Sequence, residues 1–282
     1  QGTSMKNVGA AMVLLVGLCG PLAAGAEDAA TSSLHWQKGP GTGAIDGRAR
    51  IAIPDGYVFL DKGETSKYLE MSHNLPSGDE YFFAPGNDAW EAYFSFNEEG
   101  YVKDKDTLDA DALLKSIRDN QAEANEERAR RGWPAFTIVG WRIPPRYNPT
   151  TKVLEWATEL KEEGNGRTSI NYNTRVLGRK GTMSVELVSA PDDFDAALVG
   201  FQARLGGFQF DEGERYADYR PGDHVAEYGL AALVAGGAAA VAAKKGFFTL
   251  IAGFLAAAWK LVIAAIAGVG AWLRSAFRKK AG

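Results

Sequence analysis

The sequence predicts an α+β fold: a mainly antiparallel sheet with two main helices packed on it, arranged like an α/β/α sandwich and followed by a C-terminal helical membrane anchor. Three observations predict this class. Most segments of alternating apolar and polar residues follow one another without an intervening helix, which is typical of antiparallel sheets. Two longer amphipathic segments, 109–131 and 192–205, are predicted to be helices. The apolar tract 229–273 is more than twice as long as the roughly 20 residues that one bilayer crossing needs.

The N-terminal residues have the pattern of a secretory signal peptide. Lys6 precedes an apolar run at 8–24, and Ala24-Gly25-Ala26 forms a small-residue cleavage site. An uncleaved anchor and lipid attachment at Cys19 are the alternatives. The chain then divides into a signal peptide with leading residues (1–26), a flexible lead-in (27–44), an extracytoplasmic α+β domain (45–215), a juxtamembrane linker (216–228), membrane helices (229–273) and a basic tail (274–282).

The first half of the domain alternates short strands with helices. A helix at 66–72 is capped by Thr65, and the long helix at 109–131 is capped by Thr107 or Asp109, because Ser, Thr and Asp accept bonds from free N–H groups at a helix start. Residues that alternate with period two predict the strands at 50–53, 57–60, 80–84 and 89–97.

The second half predicts a meander of strands. A strand at 136–143 ends at Pro144-Pro145, and three more strands follow at 152–160, 169–176 and 182–189. If the first turn centres on Asn165, Glu155 faces Arg175 on the neighbouring strand. If the second turn centres between Arg179 and Lys180, Asn173 faces Glu186. A one-residue slip would mix apolar and polar residues on each face, so the pattern favours this register.

The polar face of this meander is the best candidate site within the domain. It would gather Glu155, Asn173, Arg175 and Glu186 into one charged patch that can form hydrogen bonds. A sheet with one face in the core and the other in solvent produces the same pattern without any function. The patch is therefore a hypothesis about binding.

No metal or cofactor is predicted. The densest acidic cluster, at 104–111, has Asp109 where a calcium loop needs its sixth-position Gly and Lys115 where it needs its final Glu. Helix capping accounts better for these carboxylates. The three histidines show no metal-binding spacing, and the net charge of −4 gives no electrostatic reason to expect nucleic acid.

Several stretches together resemble one known family. They are 100–104 (GYVKD), 108–114 (LDADALL), 125–128 (NEER), 132–134 (GWP), 140–141 (GW) with Pro145 and Tyr147, 171–178 (NYNTRVLG), 216–219 (YADY) and 229–237 (GLAALVAGG). The family consists of uncharacterised bacterial membrane-anchored proteins, domain of unknown function 2167. The resemblance implies a signal peptide, a domain on the periplasmic side and an anchor in the inner membrane, but it transfers no activity and no catalytic residue. The order of elements also resembles the small sandwich of photosystem-associated extrinsic proteins.

The apolar tract leaves its membrane topology open. Lys244, Lys245 and Lys260 divide it into three pieces, each too short to cross about 30 Å alone. A hairpin and one net crossing built from two helices both remain, and a cytoplasmic basic tail favours one net crossing. Small residues at Ala232, Gly236 and Ala240 favour close helix packing, although an Ala-rich helix also produces such a stripe by chance.

These features favour a binding or scaffolding module of the bacterial envelope. Its expected partners are the lipid bilayer and either an envelope protein or a second copy of the chain. The alternative is a carboxylate-dependent hydrolase or transferase, with Glu155 and Glu186 as the first acid/base candidates. A membrane-remodelling role for the apolar tract is a third hypothesis.

Overall fold

A computed structural model describes residues 33–236, which form two antiparallel sheets and a few helices. The larger sheet has eight strands, which lie in the spatial order β1 (Gln37–Lys38), β4 (Tyr57–Leu60), β5 (Tyr81–Pro85), β6 (Glu91–Asn97), β10 (Thr182–Ser189), β9 (Thr168–Leu177), β8 (Val153–Glu162) and β7 (Phe136–Asn148). The smaller sheet contains β11 (Phe208–Phe210), β3 (Ala49–Ile53) and β2 (Gly41–Ile45). The predicted α+β class with its antiparallel sheet is confirmed.

The helices of the described region are short except for one. They are α1 (Lys62–Met71), α2 (Ala110–Arg130), α3 (Phe194–Leu205), a 3₁₀ turn (Tyr216–Asp218) and α4 (Leu230–Val234). None of the helices within residues 33–236 is long and apolar enough to cross a bilayer. The predicted signal peptide and most of the predicted membrane tract, from residue 237 onward, lie outside the described residues.

One face of the large sheet packs against the small sheet and α3, and we call it the apolar face. Ile51 from the small sheet, Phe94 and Val185 from the large sheet, and Phe201 from α3 meet in one buried cluster. Phe94 is fully buried, and its ring stacks on Phe208 with centroids 6.1 Å apart. Strand alternation places these side chains on one side, so burial of apolar area holds the two sheets together.

The opposite face carries α1 and α2. Leu69 of α1 packs in a second cluster with Phe82, Tyr93 and Val188 of the sheet. Helix α2 lies along β7, where Arg118 donates from Nε to the carbonyl of Ile138 at 3.2 Å. Helices therefore lie on both sides of the large sheet.

The predicted start of α1 is wrong. The helix begins at Lys62, and its cap is Asp61, whose carboxylate accepts from the Glu64 N–H at 3.0 Å. Thr65 lies inside the helix, where its hydroxyl donates to the Leu60 carbonyl at 3.3 Å. Asp and Thr are both good N-terminal caps. Capping by Asp61 starts the helix at Lys62, and Gly63 lowers the helix propensity of this first turn, so the sequence pattern did not indicate it. The predicted cap of α2 at Asp109 is confirmed, because this carboxylate accepts from the Ala112 N–H at 3.1 Å.

The predicted end of β7 at Pro144-Pro145 is also wrong, because the strand continues to Asn148. Strand β7 is at the edge of the sheet, and its pairing with β8 shifts between Ile143 and Arg146, so the prolines fall in an irregular stretch of the ladder. A proline is tolerated there because no ladder hydrogen bond requires its missing N–H.

Candidate functional site

The candidate site was predicted from the pairing of three strands, and one of the two registers is confirmed. Strand β9 pairs with β10 so that Asn173 lies opposite Glu186, as the sequence predicted. In an antiparallel sheet, residues directly opposite each other project to the same face. Asn173 and Glu186 are therefore neighbours, and Arg175 lies on the same face two residues further along β9.

The other predicted register is wrong by one residue. Glu155 pairs with Thr174, and Arg175 pairs with Leu154. The connecting loop closes through a bond from the Glu162 N–H to the Arg167 carbonyl, so it encloses four residues rather than centring on Asn165. Because a shift of one residue exchanges the faces of a strand, Glu155 lies on the opposite side of the sheet from Arg175.

On that side Glu155 has partners of its own. Its carboxylate accepts from Arg146 Nε on the neighbouring strand β7 and from the hydroxyl of Tyr172. Burial raises the pKa of Tyr172 to about 12, and the hydrogen bond to Glu155 acts in the same direction. Glu155 thus belongs to a separate ion pair and takes no part in the candidate site.

The remaining residues of the predicted patch are buried, so the alternative of a polar sheet face that simply lies in solvent is wrong. Asn173, Arg175 and Glu186 are 2%, 7% and 4% exposed. We call these three residues, together with Asn171 and Glu99, the polar layer. It lies on the face of the large sheet that also carries α1 and α2.

Arg175 is the cation at the centre of the polar layer. Its Nη1 donates to the Thr174 carbonyl at 3.2 Å, and its guanidinium carbon lies 4.9 Å from the ring centre of Trp156. Burial lowers the pKa of Arg175 to about 10, although the negative charges of Glu186 and Glu99 oppose the shift. The guanidinium therefore stays charged at neutral pH and needs nearby anions.

Two carboxyl groups supply that negative charge. Glu186 accepts a hydrogen bond from the side-chain amide of Asn171. Glu99 follows β6 and accepts from the Thr182 hydroxyl at 2.6 Å. Burial raises the pKa of Glu99 to about 7, so this group changes its charge close to neutral pH.

Buried side chains on this side of the large sheet also retain unused hydrogen-bonding capacity. Asn173 Oδ1 and, on α2, Gln121 Oε1 are buried and accept no bond from the part of the chain that the structure describes. Leaving a buried acceptor without a partner costs about 1–3 kcal/mol.

A long C-terminal segment lies against the domain beside the polar layer. We call residues 211–236 the strap. The Tyr101 N–H donates to the His224 carbonyl at 2.8 Å, and the Ala226 N–H donates back to the Tyr101 carbonyl at 3.0 Å. The Tyr101 ring also contacts Tyr216 and Tyr219, with centroids 4.4 and 4.3 Å apart.

Gly100 allows this close approach. Its φ is 94°, and a Cβ there would lie 2.6 Å from the His224 ring and 2.8 Å from its carbonyl oxygen. A bidentate ion pair holds the next part of the strap, because Arg179 Nε and Nη2 each lie 2.7 Å from the carboxylate of Asp223. This pair lowers the pKa of Asp223 to about 2. The predicted linker 216–228 is thus held on the domain surface.

The end of the strap is buried. Leu230 and Val234 of α4 are 1% and 0% exposed, and Asn120 of α2 donates to the Ala235 carbonyl at 2.7 Å. Residues 229–236, which the sequence assigned to the membrane tract, therefore pack on the domain.

The predicted small-residue stripe is interrupted here. Ala232 lies in α4, whereas Gly236 follows the end of that helix with a φ of 103°. A glycine with positive φ just after a helix is the common way for a helix to stop, so the two residues do not share one continuous helix. Ala240 lies outside the described residues.

The acidic cluster at 104–111 separates into independent contacts. Asp104 accepts from Tyr147 at 2.8 Å and from Lys152 at 2.7 Å, while Asp106 accepts from the Ala231 N–H at 3.3 Å. Among residues 33–236, no three side chains of metal-binding type converge. The carboxylates instead cap α2 and hold the strap.

Sequence reasoning missed Glu99 and the partners of the strap. Glu99 follows Glu98 in a connecting loop, where a carboxylate is usually solvated, and no sequence pattern distinguished it. Tyr101 did carry a signal, since its GYVKD motif and the motif YADY at 216–219 both appeared among the family-like stretches and prove to be in contact.

Comparisons with known proteins complete the description. A family model described as "Protein of unknown function (DUF2167)" matches residues 37–267. The solution structure of cyanobacterial PsbP (CyanoP) from Synechocystis sp. PCC 6803 is similar at 13% identity and a TM-score of 0.37, covering 64% of this chain and 93% of that chain. At this TM-score the similarity supports no conclusion about function. No curated protein matches the chain significantly.

Proposed function

This chain belongs to the DUF2167 family, and we propose that it is a membrane-attached binding module of the bacterial envelope rather than an enzyme. The observation that carries this proposal is the strap. Its residues connect the sheet to the apolar tract, and they are held by backbone bonds, stacked tyrosines and an ion pair. A domain fixed in this way is suited to working at a bilayer surface.

The strap brings the first residues of the apolar tract onto the domain. The apolar tract begins at Gly229, and its first residues are buried against the domain at Leu230 and Val234. If the tract enters the bilayer after Gly236, no flexible linker separates the two. A tether this short would keep the domain at the membrane surface, which suits a binding or scaffolding role.

The arrangement of carboxylates counts against the hydrolase or transferase alternative. That alternative named Glu155 and Glu186 as its first acid/base candidates, but the two residues lie on opposite faces of the large sheet. General acid and base groups must both reach the reacting atoms within hydrogen-bond distance. The sheet itself lies between these two carboxylates, so they cannot act as a pair.

The proposed location is the inner membrane, with the domain on the periplasmic side. The signal-peptide pattern at 1–26 supports export, and the basic residues of the tail at 274–282 favour a cytoplasmic C-terminus. The proposed partners are the bilayer together with an envelope protein or a second copy of the chain.

The test is a comparison of the full chain with a chain that stops after Gly236, both expressed in a bacterial host with their N-terminal segment. We expect the full chain to stay in the membrane fraction after a carbonate wash and its domain to be cleaved by protease added to spheroplasts. The shortened chain should be released with the periplasmic contents. A full chain that washes off, or a domain that protease cannot reach, would refute the proposed attachment.

The binding role needs a second experiment. Chemical cross-linking in native membranes should capture the same envelope protein, or a second copy, in repeated preparations. Failure to recover any reproducible partner counts against binding even if the membrane attachment holds.

A further inference from the structure

We infer that the domain binds a sugar ring, or another neutral compound rich in hydroxyl groups, in a cleft above the centre of the large sheet. The cleft lies between α1 and α2, and its floor is formed by Ser95, Ser184 and Arg175. We call it the central cleft. The inference rests on the proposed binding role and deepens it, because it names the chemical class of a ligand.

The two helices on this face of the large sheet pack near its opposite sides. Helix α1 packs on β4 and β5, whereas α2 packs on the edge strand β7 and also contacts α4. Five strand spacings of about 4.8 Å separate β5 from β7, which is roughly 24 Å. A helix with its side chains is about 10–12 Å wide, so α1 and α2 leave a space above the inner strands β10 and β9.

Two short side chains lie at the bottom of this space. Ser184 of β10 pairs with Ser95 of β6 on one side and with Arg175 of β9 on the other, so all three project to the same face. Both serines are only half-buried, although Tyr93 and Glu186 in the next row are buried. Solvent therefore reaches the centre of the sheet at the two serines.

The floor of the central cleft has hydrogen-bonding groups that the domain does not use. Within residues 33–236, the Arg175 guanidinium donates one bond, from Nη1 to the Thr174 carbonyl at 3.2 Å, although a guanidinium has five N–H groups. The Trp156 ring, 4.9 Å away, holds this guanidinium in place. In the same part of the chain, no group bonds to the hydroxyl of Ser95 or Ser184.

Asn173 adds an acceptor beside this floor. It lies opposite Glu186, in the row next to Ser184, and its Oδ1 is buried and accepts no bond from residues 33–236. A buried polar group without a partner in a native structure calls for an explanation, and a bound molecule is one.

The charges on this face exclude an anionic ligand. Strands β6, β10 and β9, with the residues just after β6, place one cation on it, Arg175, and three carboxyl groups, Glu91, Glu99 and Glu186. The negative charge of Glu186 already opposes that of Arg175. The central cleft therefore has no excess of positive charge with which to hold a phosphate or a carboxylate.

A cationic ligand fits no better. Each of the three carboxyl groups already accepts a hydrogen bond from a neighbouring side chain. Burial raises the pKa of Glu91 and also that of Glu99, the latter to about 7, so both become neutral more readily than an exposed carboxyl group. Arg175 would repel a cation placed beside it. A ligand that suits this face is therefore uncharged.

A sugar ring meets these conditions. Each of its hydroxyl groups can donate and accept, so one ring can accept from Arg175 while it bonds to the serine hydroxyls. Being neutral, it enters the cleft without the large cost of desolvating a charge. The floor spans two strand spacings, about 10 Å, by two residues along the strands, about 7 Å, which is large enough for one ring.

The experiment measures saturation-transfer NMR from the full chain in detergent micelles to four neutral sugars at millimolar concentration. The sugars are glucose, galactose, N-acetylglucosamine and the disaccharide of N-acetylglucosamine, and empty micelles are the blank. We expect at least one sugar to bind, and its titration gives the dissociation constant. Inorganic phosphate should not displace it, and displacement by phosphate would refute the neutral ligand class.

Ser184→Val tests the position of the bound sugar. It should weaken binding about tenfold, because it removes a hydroxyl and fills part of the floor. Thr42→Val is the matched control, since it makes a similar change at an exposed strand residue of the small sheet and should leave binding unchanged. If urea denaturation shows that Ser184→Val does not fold, Ser95→Ala replaces it and should weaken binding about threefold.

The inference and the proposed function fail in different ways. No transfer above the blank for any of the four sugars refutes the central cleft as a sugar site, and so does equal affinity in the wild type and a folded Ser184→Val. Either result leaves the proposed function standing if the chain resists the carbonate wash and cross-links to a reproducible partner. A chain that binds a sugar but washes off the membrane refutes only the attachment.

Discussion

Both faces of the large sheet are covered by other elements, but one face is apolar and the other also contains buried polar and charged side chains. The apolar face fills with rings and aliphatic chains such as Phe94, Val185 and Phe201. The other face combines apolar contacts with the polar layer, in which Arg175 and Glu186 are as deeply buried as many core residues. Alternating polar residues in a strand therefore mark a second face, but they do not show that this face meets water.

The two faces should also differ in how their stability arises. Apolar burial is roughly proportional to area and needs no particular partner. A buried guanidinium stabilises only when its anions are present, because either charge left alone pays the full desolvation penalty. Substitutions on the apolar face should therefore act independently, whereas those in the polar layer should depend on each other.

The largest effect is expected on the apolar face. Phe94→Ala should lower the free energy of unfolding by about 3–5 kcal/mol, since the fully buried ring leaves a cavity between the sheets. Urea denaturation of the full chain in detergent micelles measures this. Phe94→Leu should lose less, and Val199→Ala, at a side chain 70% exposed, should change little. A loss below about 1 kcal/mol for Phe94→Ala would contradict the packing described here.

The next largest effect is expected for Arg175 and Glu186 of the polar layer, because each buried charge depends on the other. Arg175→Met should destabilise by about 2–4 kcal/mol because Glu186 then remains buried without its cation. Adding Glu186→Gln should recover part of that loss, and the double-mutant cycle should give a coupling energy of about 0.5–3 kcal/mol. If the two substitutions change the unfolding free energy additively, the two charges do not interact. The polar layer would then not differ from the apolar face in this respect.

The third effect depends on pH. The pKa of Glu99 is raised to about 7 from 4.5, so the folded state binds this proton more tightly than the unfolded state does. The stabilising contribution of the protonated carboxyl is complete below the unfolded pKa and is lost as the pH rises through about 7. At about 1.4 kcal/mol per pKa unit, the wild-type chain should therefore lose up to about 3 kcal/mol between these values.

Glu99→Gln tests this contribution, because the neutral amide cannot ionise beside Thr182 and Tyr228. Its unfolding free energy should vary less over the same pH interval and exceed that of the wild type at pH 8. Glu98→Gln is the matched control, since the neighbouring carboxylate is 64% exposed and pairs with Arg48. If both variants follow the pH profile of the wild type, Glu99 is not the titrating group.

Local patterns were sufficient for much of the fold. The strands, the long helix α2 with its cap at Asp109, and the pairing of Asn173 with Glu186 all follow from periodicity and turn residues near in sequence. The register of β8 against β9 failed because two turn glycines, Gly164 and Gly166, allow more than one loop geometry. This one-residue shift in register places Glu155 on the other face and removes the predicted pairing of Glu155 with Arg175.

The candidate site was predictable only in part. Three of its residues were found by alternation, while Glu99 was not, because its burial depends on contacts with β10 and the strap. The strap itself had the appearance of a linker, since its Pro, Gly and Asp residues are typical of irregular segments. Its contacts, such as Arg179 with Asp223, join positions far apart in the chain, and no local pattern reports them.

The α+β class, the family and the two-sided alternation of the meander follow from the sequence, because they depend on residue type and on spacing between near neighbours. The burial of the polar side, the separation of Glu155 from Glu186 by the sheet, and the packing of residues 216–236 on the domain depend instead on contacts in the folded chain. Burial and register depend on which residues pack against or pair with a given residue, and those residues come from distant segments of the chain.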